Sequence, residues 1–337
     1  MASNPLRYDP YEASVGVPNV VVDGSPNAST VLTLSHWPQL PAPDGLADDL
    51  SAQMAFRYLD SGATLHGNAE VVTNNHFDQD GLISVYALSR PDAALARRAL
   101  LEDVAAAGDF GTYRDRRAAR LSMVIAAFSD PERSPLAPLP DDHGGAATAL
   151  LYTELLGRLP ELLDKLDTYR NLWQDEDRQL TSSEHILATG AAVIDEHGEV
   201  DLAVVTIDET VGALSGHRFT GGVRFDGIHP MALHNATDRF AVLVIRGRSY
   251  QFTYRYETWV QYRSRRPRPR VDLTALAGQL TERETDGVTW GADPASSLTP
   301  RLSPIGNNRE SSIPAAEVVS RVVGHLTMAA PAWDPYP

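Results

Sequence analysis

The order of strand-type and helix-type segments between residues 29 and 88 constrains the fold of this chain more than any other feature. Residues 29–35 form a β-branched apolar run that ends close to a proline, and proline stops a strand. A helical run at 48–62 follows, then a second strand at 69–75 and a helix at 81–88. This β-α-β-α order predicts an α/β fold with a parallel, Rossmann-like sheet covered by helices.

The rest of the chain divides into segments of different composition. Residues 1–27 are rich in Pro, Asn, Gly and Ser, with a short apolar run at Val20-Val21-Val22. They predict an extended lead-in with a short strand before Asp23, ahead of the α/β domain that we place at 28–184. Residues 185–284 carry two hairpin signals and predict a mainly antiparallel, β-rich substrate-binding portion. Residues 285–337 are Pro/Ser-rich, and one helix is expected there at 314–326.

Composition limits the functional classes. The chain has 337 residues, 43% of them hydrophobic, a formal net charge of -15 and no cysteine. The lack of cysteine excludes disulfides, thiolate zinc sites and cysteine nucleophiles, and the acidic charge argues against bulk nucleic-acid binding. No run of about 18 apolar residues is present, and the N-terminus lacks the pattern of a secretory signal. We therefore expect no membrane partner and a cytoplasmic location.

Three familiar motifs are absent from the sequence. The sequence contains no Walker-type Gly-Lys-Ser/Thr loop for phosphate binding, and no Gly-x-Gly-x-x-Gly run follows a strand. No Gly-x-Ser-x-Gly elbow is present. These absences argue against a P-loop nucleotidase, a dinucleotide-binding fold and an α/β-hydrolase triad.

The stretch NNHFDQDG at residues 74–81 is the strongest candidate for a functional site. His76, Asp78 and Asp80 follow a predicted strand at alternating positions, at the sheet edge where parallel α/β folds bind ligands. Their imidazole and carboxylate groups suit Mn²⁺, Mg²⁺ or Zn²⁺. Gly81 would let the backbone turn tightly beside the ion. The alternative is a structural one, in which Asp80 caps the following helix.

His36 is the second candidate in the N-terminal half. It ends a predicted strand, as His76 does, so in a parallel sheet both side chains would emerge at the same edge. Neighbouring strands lie about 4.8 Å apart, so His36 could reach the same ion or its substrate in a catalytic role. A histidine before Trp-Pro also suits a structural role. Asp49 is interpreted as a helix N-cap.

The run His-x-Asp-x-Asp-Gly at 76–81 resembles motif I of the DHH phosphoesterase superfamily. Members of that superfamily hydrolyse phosphodiester or phosphoanhydride bonds with a two-Mn²⁺ centre. The resemblance implies that His76, Asp78 and Asp80 are metal ligands and that the cofactor is a divalent metal, Mn²⁺ before Mg²⁺ or Zn²⁺.

The wider pattern is similar to an uncharacterised bacterial domain family that has LSHWP, NNHFDQDG, AGDF and RYETWVQYRSRRPRPRVDL in this order. The resemblance to the DHH superfamily suggests Asp109, in AGDF, as a further metal ligand, with a helix cap or turn as the alternative. The Asp-His-His motif that gives the superfamily its name is matched only in part, by DDHGG at residues 141–145. The resemblance makes His143 the catalytic candidate in this run. The C-terminal glycine-histidine motif of the superfamily resembles Gly216-His217, which makes His217 a candidate for substrate binding. The alternative is an ordinary Gly-rich loop.

A basic cluster stands out in the C-terminal half. Eight arginines and a single acidic residue lie between Arg246 and Arg270, interleaved with aromatic residues. Arginine forks match phosphate geometry, and aromatic rings can stack on a base. The alternative is a solvated loop that pairs with surplus carboxylates. The predicted substrate contacts are Arg255, Arg265, Arg266 and Arg268.

These features together predict a metal-dependent hydrolase of a small phosphorylated or nucleotide-like substrate, acting on a phosphoester or phosphoanhydride. Two alternatives stay open. One is a non-catalytic binding protein on a phosphoesterase-like fold, which the incomplete Asp-His-His region favours. The other is a metal hydrolase of a non-phosphate substrate, whose arginines would bind a carboxylate.

Overall fold

Four strands near the N-terminus form the first sheet in the computed structural model of the protein. They are β1 (Arg7–Tyr8), β2 (Asn19–Val22), β3 (Thr30–Leu34) and β4 (Val71–Thr73). They stand in the order β1-β4-β2-β3, and every neighbouring pair is parallel. The parallel sheet expected from the sequence is confirmed, and the carboxyl ends of its strands meet at one edge.

The short strand expected before Asp23 is β2, and the lead-in expected at residues 1–27 contributes to the first sheet. This segment supplies β1 and β2, and β2 pairs with β3 on one side and β4 on the other. The physical reason is the short apolar run Val20, Val21 and Val22, whose side chains are fully buried. Four residues of strand are enough here because both neighbours supply hydrogen bonds.

Helices cover this sheet. They are α1 (Ser51–Ser61), α2 (Gln79–Ser89), α3 (Pro91–Leu95), α4 (Arg98–Asp109), α5 (Arg116–Ser129), α6 (Ala146–Asp164) and α7 (Arg170–Thr189). All eleven residues of α2 are buried, and this helix packs against α1, α4 and α6. The helix that carries Asp80 is therefore the centre of the N-terminal core.

Pro160 lies inside α6. A proline in a helix interior loses a hydrogen bond and clashes with the preceding turn. The buried leucines on either side, Leu155, Leu159 and Leu162, keep one apolar face continuous through this point. Packing of that face holds the helix together as far as Asp164.

The second sheet is mainly antiparallel, as expected. Its strands are β5 (Ala192–His197), β6 (Leu202–Ile207), β7 (Ala241–Arg246), β8 (Ser249–Tyr254), β10 (Thr289–Ala292) and β11 (Arg301–Ile305). They stand in the order β10-β11-β8-β7-β6-β5, with only β6 and β7 parallel. Two more short strands, β9 (Arg270–Val271) and β12 (Pro331–Trp333), pair with each other.

Three further helices belong to this part of the chain: α8 (Pro230–Ala236), α9 (Thr274–Arg283) and α10 (Ala315–Met328). Leu276 and Leu280 from α9 and Val318 and Val322 from α10 join the apolar cluster of the second sheet. The segment at 285–337 is thus not a separate tail, because β10, β11 and α10 complete this sheet and its core.

The chain divides into two compact units. The N-terminal unit comprises Met1–Asp177 and Gln261–Arg265, and the C-terminal unit comprises Arg178–Val260 and Arg266–Tyr336. The boundary falls inside the continuous helix α7 rather than near residue 184. The structure describes residues 5–62, 65–141, 145–212, 225–307 and 309–336.

Candidate metal centre

Three strands of the first sheet end at the candidate site. Asp23 follows β2 directly, His36 comes two residues after β3, and His76 comes three residues after β4. Because the strands are parallel, these residues leave the sheet at the same edge, where open α/β folds bind ligands. Asp23 has a φ of 46°, which turns the chain sharply at the end of its strand.

A first group of four side chains converges at this edge. Ligand atoms of Asp23, His36, Asp80 and Asp109 all lie within 4.8 Å of one another. His36 Nε2 is 3.3 Å from Asp23 Oδ1, 3.5 Å from Asp109 Oδ2 and 3.8 Å from Asp80 Oδ2. These side chains are between 0% and 2% exposed. We call them the first ligand group.

The hydrogen bonding of His36 fixes which ring nitrogen faces the carboxylates. Its Nδ1 lies 2.6 Å from the main-chain carbonyl of Asp49, which can only accept, so Nδ1 carries the proton. In the neutral ring, Nε2 then presents a lone pair to the three acids. A histidine held by a carbonyl in this way is typical of a metal ligand.

Asp80 is anchored by the first turn of another helix. Its two carboxylate oxygens accept hydrogen bonds from the main-chain N–H groups of Ser51 (2.8 Å) and Ala52 (2.7 Å). These N–H groups have no partner within α1, and the positive end of the helix favours an acid there. Asp80 therefore does not cap its own helix. That role belongs to Asp78, which accepts from Gly81 N at 2.8 Å.

Asp109 occupies the last position of α4. The carboxyl end of a helix carries partial negative charge, so a carboxylate is disfavoured there on electrostatic grounds. Asp109 nevertheless lies among the acids of the first ligand group, with Oδ2 3.5 Å from His36 Nε2.

A second group of ligand atoms adjoins the first and shares one residue with it. It comprises Asp23, His76 and Asp78. His76 Nε2 lies 2.9 Å from Asp78 Oδ2 and 3.5 Å from Asp23 Oδ2. The side chain of His76 is 31% exposed and that of Asp78 is 12% exposed. This second ligand group is the more open side of the site.

The electrostatics of the cluster favour a bound cation. Burial raises the pKa of Asp80 to about 8, and Asp23 adds to the effect. Burial also raises the pKa of Asp23 well above its ordinary value, helped by Asp78. Burial alone would lower the pKa of His76, but Asp78 and Asp23 raise it to about 9. Several acids this close together cannot all carry charge without compensation by protons or by a metal.

The donor set fits a divalent metal. Carboxylate oxygens and imidazole nitrogens are ligands for Mn²⁺, Mg²⁺ and Zn²⁺. Asp23 Oδ2 is buried and accepts no hydrogen bond from the described residues, as expected of an oxygen that serves a cation. Asp23 also presents Oδ1 to the first ligand group and Oδ2 to the second. The cluster can thus bind a divalent ion, and one carboxylate can serve both groups.

The structure brings together five of the residues singled out in the sequence: His36, His76, Asp78, Asp80 and Asp109. Sequence reasoning missed Asp23. Its only signal is the buried run of valines just before it, which marks the end of a further strand of the same sheet. The two remaining candidates, His143 and His217, lie outside the described residues.

Gly81 is required for space rather than for an unusual backbone angle. It lies in the first turn of α2, and its φ is not positive. A methyl group on Gly81 would lie 2.5 Å from the Tyr152 hydroxyl and closer still to Asn74 Nδ2. The sequence predicted that Gly81 allows a tight backbone turn beside the ion. In the structure, glycine is needed here because the side chains of Asn74 and Tyr152 approach its Cα closely.

The segment Gln261–Arg265 belongs to the N-terminal unit and is tied to the ligand-bearing loops. Gln261 N donates to the carbonyl of His36 at 2.8 Å. The Asp49 carboxylate accepts from Arg263 N (2.6 Å), from Ser264 N (2.8 Å) and from the Ser264 hydroxyl. Asp49 thus anchors this segment instead of capping α1. Arg265 lies at its end.

The other predicted arginine contacts lie in the C-terminal unit. Arg255 is 3% exposed and pairs with Glu257, while its Nη1 donates to the Thr237 carbonyl at 3.0 Å. Arg266 lies 4.2 Å from the ring centre of Tyr336, and Arg268 donates to the carbonyl of Glu199. The burial of Arg255 favours a structural role over a ligand contact.

Fold and cluster define the class of this protein: an α/β protein with a candidate divalent-metal centre at the carboxyl edge of a parallel sheet. The chain belongs to the family of unknown function DUF6687, whose model matches residues 4–337. A comparison with curated proteins finds no match. No helix in the described ranges is long and apolar enough to cross a membrane.

One solved structure is similar to this chain, a member of the s1p family of ribosomal proteins described as a DHH domain. The sequences are 13% identical, and the TM-score is 0.35. The similarity covers 94% of this chain and 65% of the solved chain, so this chain spans slightly less than two thirds of that length. The α/β fold follows from the sheet topology alone.

Proposed function

We propose that this protein is a divalent-metal-dependent hydrolase that cleaves a phosphoester or phosphoanhydride bond. The observation that carries the proposal is the position of Asp23 between the two ligand groups. Neighbouring metal sites that share a carboxylate are the arrangement with which two-metal hydrolases hold both the attacking and the leaving oxygen. The motif-I resemblance of residues 76–81 supports the same reading.

The chain's own residues would hold two ions in different surroundings. His36, Asp80 and Asp109 would hold one at the buried side, with His36 fixed by the Asp49 carbonyl. His76 and Asp78 would hold the other at the more open side. The chemistry that such ions supply is activation of a water molecule and neutralisation of phosphoryl oxygens. Substrate would approach from the side of His76, because that side chain is the most exposed of the cluster.

Arg265 is the proposed phosphate contact. It belongs to the same unit as the ligands, and Arg263 and Ser264 just before it are held by Asp49. The main-chain carbonyl of Asp49 also accepts from His36 Nδ1. The residue that anchors the backbone just before Arg265 therefore also orients a proposed metal ligand. A guanidinium fork binds phosphate in a bidentate manner, which supports a small phosphorylated or nucleotide-like substrate.

The test combines metal binding with turnover. The purified protein would be titrated with Mn²⁺, Mg²⁺ and Zn²⁺ while its melting temperature is followed. Phosphate and nucleotide release would then be measured from phosphodiesters, dinucleotides and pyrophosphate. We expect Mn²⁺ to raise the melting temperature and to support turnover. Asp78→Ala should lower kcat at least 100-fold because a ligand is removed, on the scale of losing a group that stabilises transition-state charge.

Asp92→Ala is the matched control, since Asp92 is an exposed acid at the start of α3 and outside the cluster. It should keep full metal response and turnover. Arg265→Ala should raise KM more than it lowers kcat if this residue binds the phosphate. Metal-dependent stabilisation without turnover on any of these substrates would instead favour a non-catalytic metal-binding protein. The absence of any metal response would remove the proposal altogether.

A further inference from the structure

Tyr152 stands out among the buried polar residues near the cluster. It lies on α6 and is fully buried, with its ring 5.0 Å from that of Tyr8 and 5.2 Å from that of Phe77. Its hydroxyl makes no hydrogen bond with any described residue. A buried hydroxyl without a partner is costly, and the acids that act on this one are Asp78, Asp23 and Asp80 of the cluster.

The Tyr152 hydroxyl lies against Gly81, in the first turn of α2. A methyl group placed on Gly81 would meet the Tyr152 hydroxyl, Asn74 Nδ2 and, at 3.2 Å, Asp78 Oδ1. Asn74 is itself fully buried, and its Nδ2 has no acceptor in the described part of the chain. Two unused donors therefore lie beside one carboxylate. Glycine at position 81 is what allows them to come this close.

The two oxygens of the Asp78 carboxylate have different surroundings. Oδ1 accepts from Gly81 N at 2.8 Å, and Oδ2 faces His76 Nε2 at 2.9 Å. Oδ2 is thus the oxygen turned toward the second ligand group, and Oδ1 is the oxygen turned toward the start of α2. When Oδ2 serves an ion, Oδ1 stays free to accept a second hydrogen bond, and the Tyr152 hydroxyl and Oδ1 both border the space beside Gly81.

We propose that Tyr152, with Asn74 beside it, is a positioning residue of the second ligand group and donates a hydrogen bond to Asp78 when an ion is bound. The inference rests on the proposed function, because it requires an ion at Asp23, His76 and Asp78. Burial raises the pKa of Tyr152, and nearby Asp78 raises it further, so the hydroxyl keeps its proton. Hydrogen bonds of this kind fix the orientation of a ligand and tune metal affinity.

Tyr152→Phe tests the inference with a minimal change. The phenyl ring keeps the packing against Tyr8 and Phe77, and only the hydroxyl is lost. We expect the affinity of the second ligand group for Mn²⁺ to fall about tenfold, the usual scale for such supporting residues. The melting temperature without metal should stay the same or rise slightly, because an unpaired buried hydroxyl has been removed.

Tyr8→Phe is the matched control. Its hydroxyl is also buried without a partner, and its ring packs on Tyr152. The charges that act on it are those of Glu12 and Asp9 rather than those of the cluster. Isothermal titration with Mn²⁺ should therefore give the wild-type curve for Tyr8→Phe. For Tyr152→Phe it should give one weakened step beside one unchanged step.

The outcomes separate the two proposals. Two Mn²⁺ ions bound by the wild type and bound equally by Tyr152→Phe would overturn the inference and leave the proposed function standing. Equal weakening of both steps together with a lower melting temperature would also overturn it, since that pattern indicates a packing role. A wild type that binds no Mn²⁺, Mg²⁺ or Zn²⁺ would overturn the proposed function and the inference with it.

Discussion

The acidic cluster of the N-terminal unit and the buried arginines of the C-terminal unit treat buried charge in opposite ways. In the N-terminal unit, Asp23 and Asp80 are buried against other acids and histidines, and neither meets an arginine within the described residues. In the C-terminal unit, buried Arg255 pairs with Glu257. Buried Arg270 is likewise surrounded by acceptors. Buried charged groups that are surrounded by hydrogen-bond or ion-pair partners stabilise the fold in this protein. Buried acids that face other acids, with no arginine beside them, indicate a candidate site for a cation.

The largest expected effect concerns Arg270. Its guanidinium donates to the Thr258 hydroxyl at 2.6 Å and to the carbonyls of Ala295, Ser297 and Leu298 at 2.5–2.8 Å. Arg270→Ala should lower the free energy of unfolding by about 3–5 kcal/mol, because buried acceptors lose their partner. Urea unfolding measures this, with exposed Arg301→Ala as the control.

Arg270→Lys should lie between the wild type and Arg270→Ala, because an ammonium group keeps the charge but cannot reach all four acceptors. The Mn²⁺ response of each variant that folds should match that of the wild type. A wild-type unfolding curve for Arg270→Ala would break the comparison, since a compensated charge would then have no structural role.

The second effect concerns Asp23 and has opposite signs with and without metal. Asp23→Asn removes one charge from the acidic cluster, and asparagine tolerates a positive φ. Without metal, we expect the free energy of unfolding to rise by about 1 kcal/mol or more at neutral pH, because the raised pKa of Asp23 makes the carboxyl take up a proton on folding and asparagine avoids that cost. Mn²⁺ should no longer stabilise the variant, since Asp23 serves both ligand groups.

Calorimetry with and without Mn²⁺ measures both halves of this prediction. For the wild type, an ion at 100 times its Kd adds about 2.7 kcal/mol of stability. A destabilised metal-free variant, or an unchanged Mn²⁺ response, would show that Asp23 is structural rather than a ligand.

A smaller effect is expected at Asp177, a compensated acid of the N-terminal unit. Burial alone would raise the pKa of Asp177, but Arg120 and Arg116 hold it below the ordinary value. Arg116 Nε lies 2.7 Å from Oδ1, and Arg120 Nη2 lies 3.0 Å from Oδ2. Asp177→Asn should cost about 1–2 kcal/mol at neutral pH, the scale of hydrogen bonds to charged groups.

The sign of the pH dependence follows from the lowered pKa of Asp177. The contribution is fully present above the ordinary aspartate pKa of about 4 and is lost as the pH falls through the lower folded value. Urea unfolding of the wild type and of Asp177→Asn should therefore converge at acidic pH. A gap that stays constant down to acidic pH would show that the arginine pairs do not cause it.

The smallest effect is expected at Arg266, which pairs with Asp334 at 3.2 Å and stacks on Tyr336 at the surface. Arg266→Ala should cost less than about 1 kcal/mol, because exposed ion pairs contribute little. Comparison of its pyrophosphate affinity with that of Arg265→Ala shows which of the two neighbouring arginines binds phosphate. A larger loss for Arg266→Ala would move the proposed contact into the C-terminal unit.

Much of the candidate site could be predicted from sequence because strand ends carry a local signal. His36 and His76 each follow a short apolar run, and the alternating Asp78 and Asp80 stand at a strand-to-helix junction. Asp109 was suggested only by resemblance. Asp23 was missed as a ligand because β2 has only four residues and is followed by Gly, Ser and Pro. The sequence predicted a short strand there but gave no local signal that this strand pairs with β3 and β4.

Sequence by itself determined the parallel sheet, the antiparallel second sheet and the type of ligand at one strand end, because periodicity and residue type are local properties. Only the tertiary structure decided which acids share a cation site. Asp23, Asp80 and Asp109 come from the end of β2, the start of α2 and the end of α4. Their meeting depends on the strand order and the packing of α2, which no single stretch of sequence encodes. The same holds for Arg255 and Arg270, whose partners decide that they stabilise the fold.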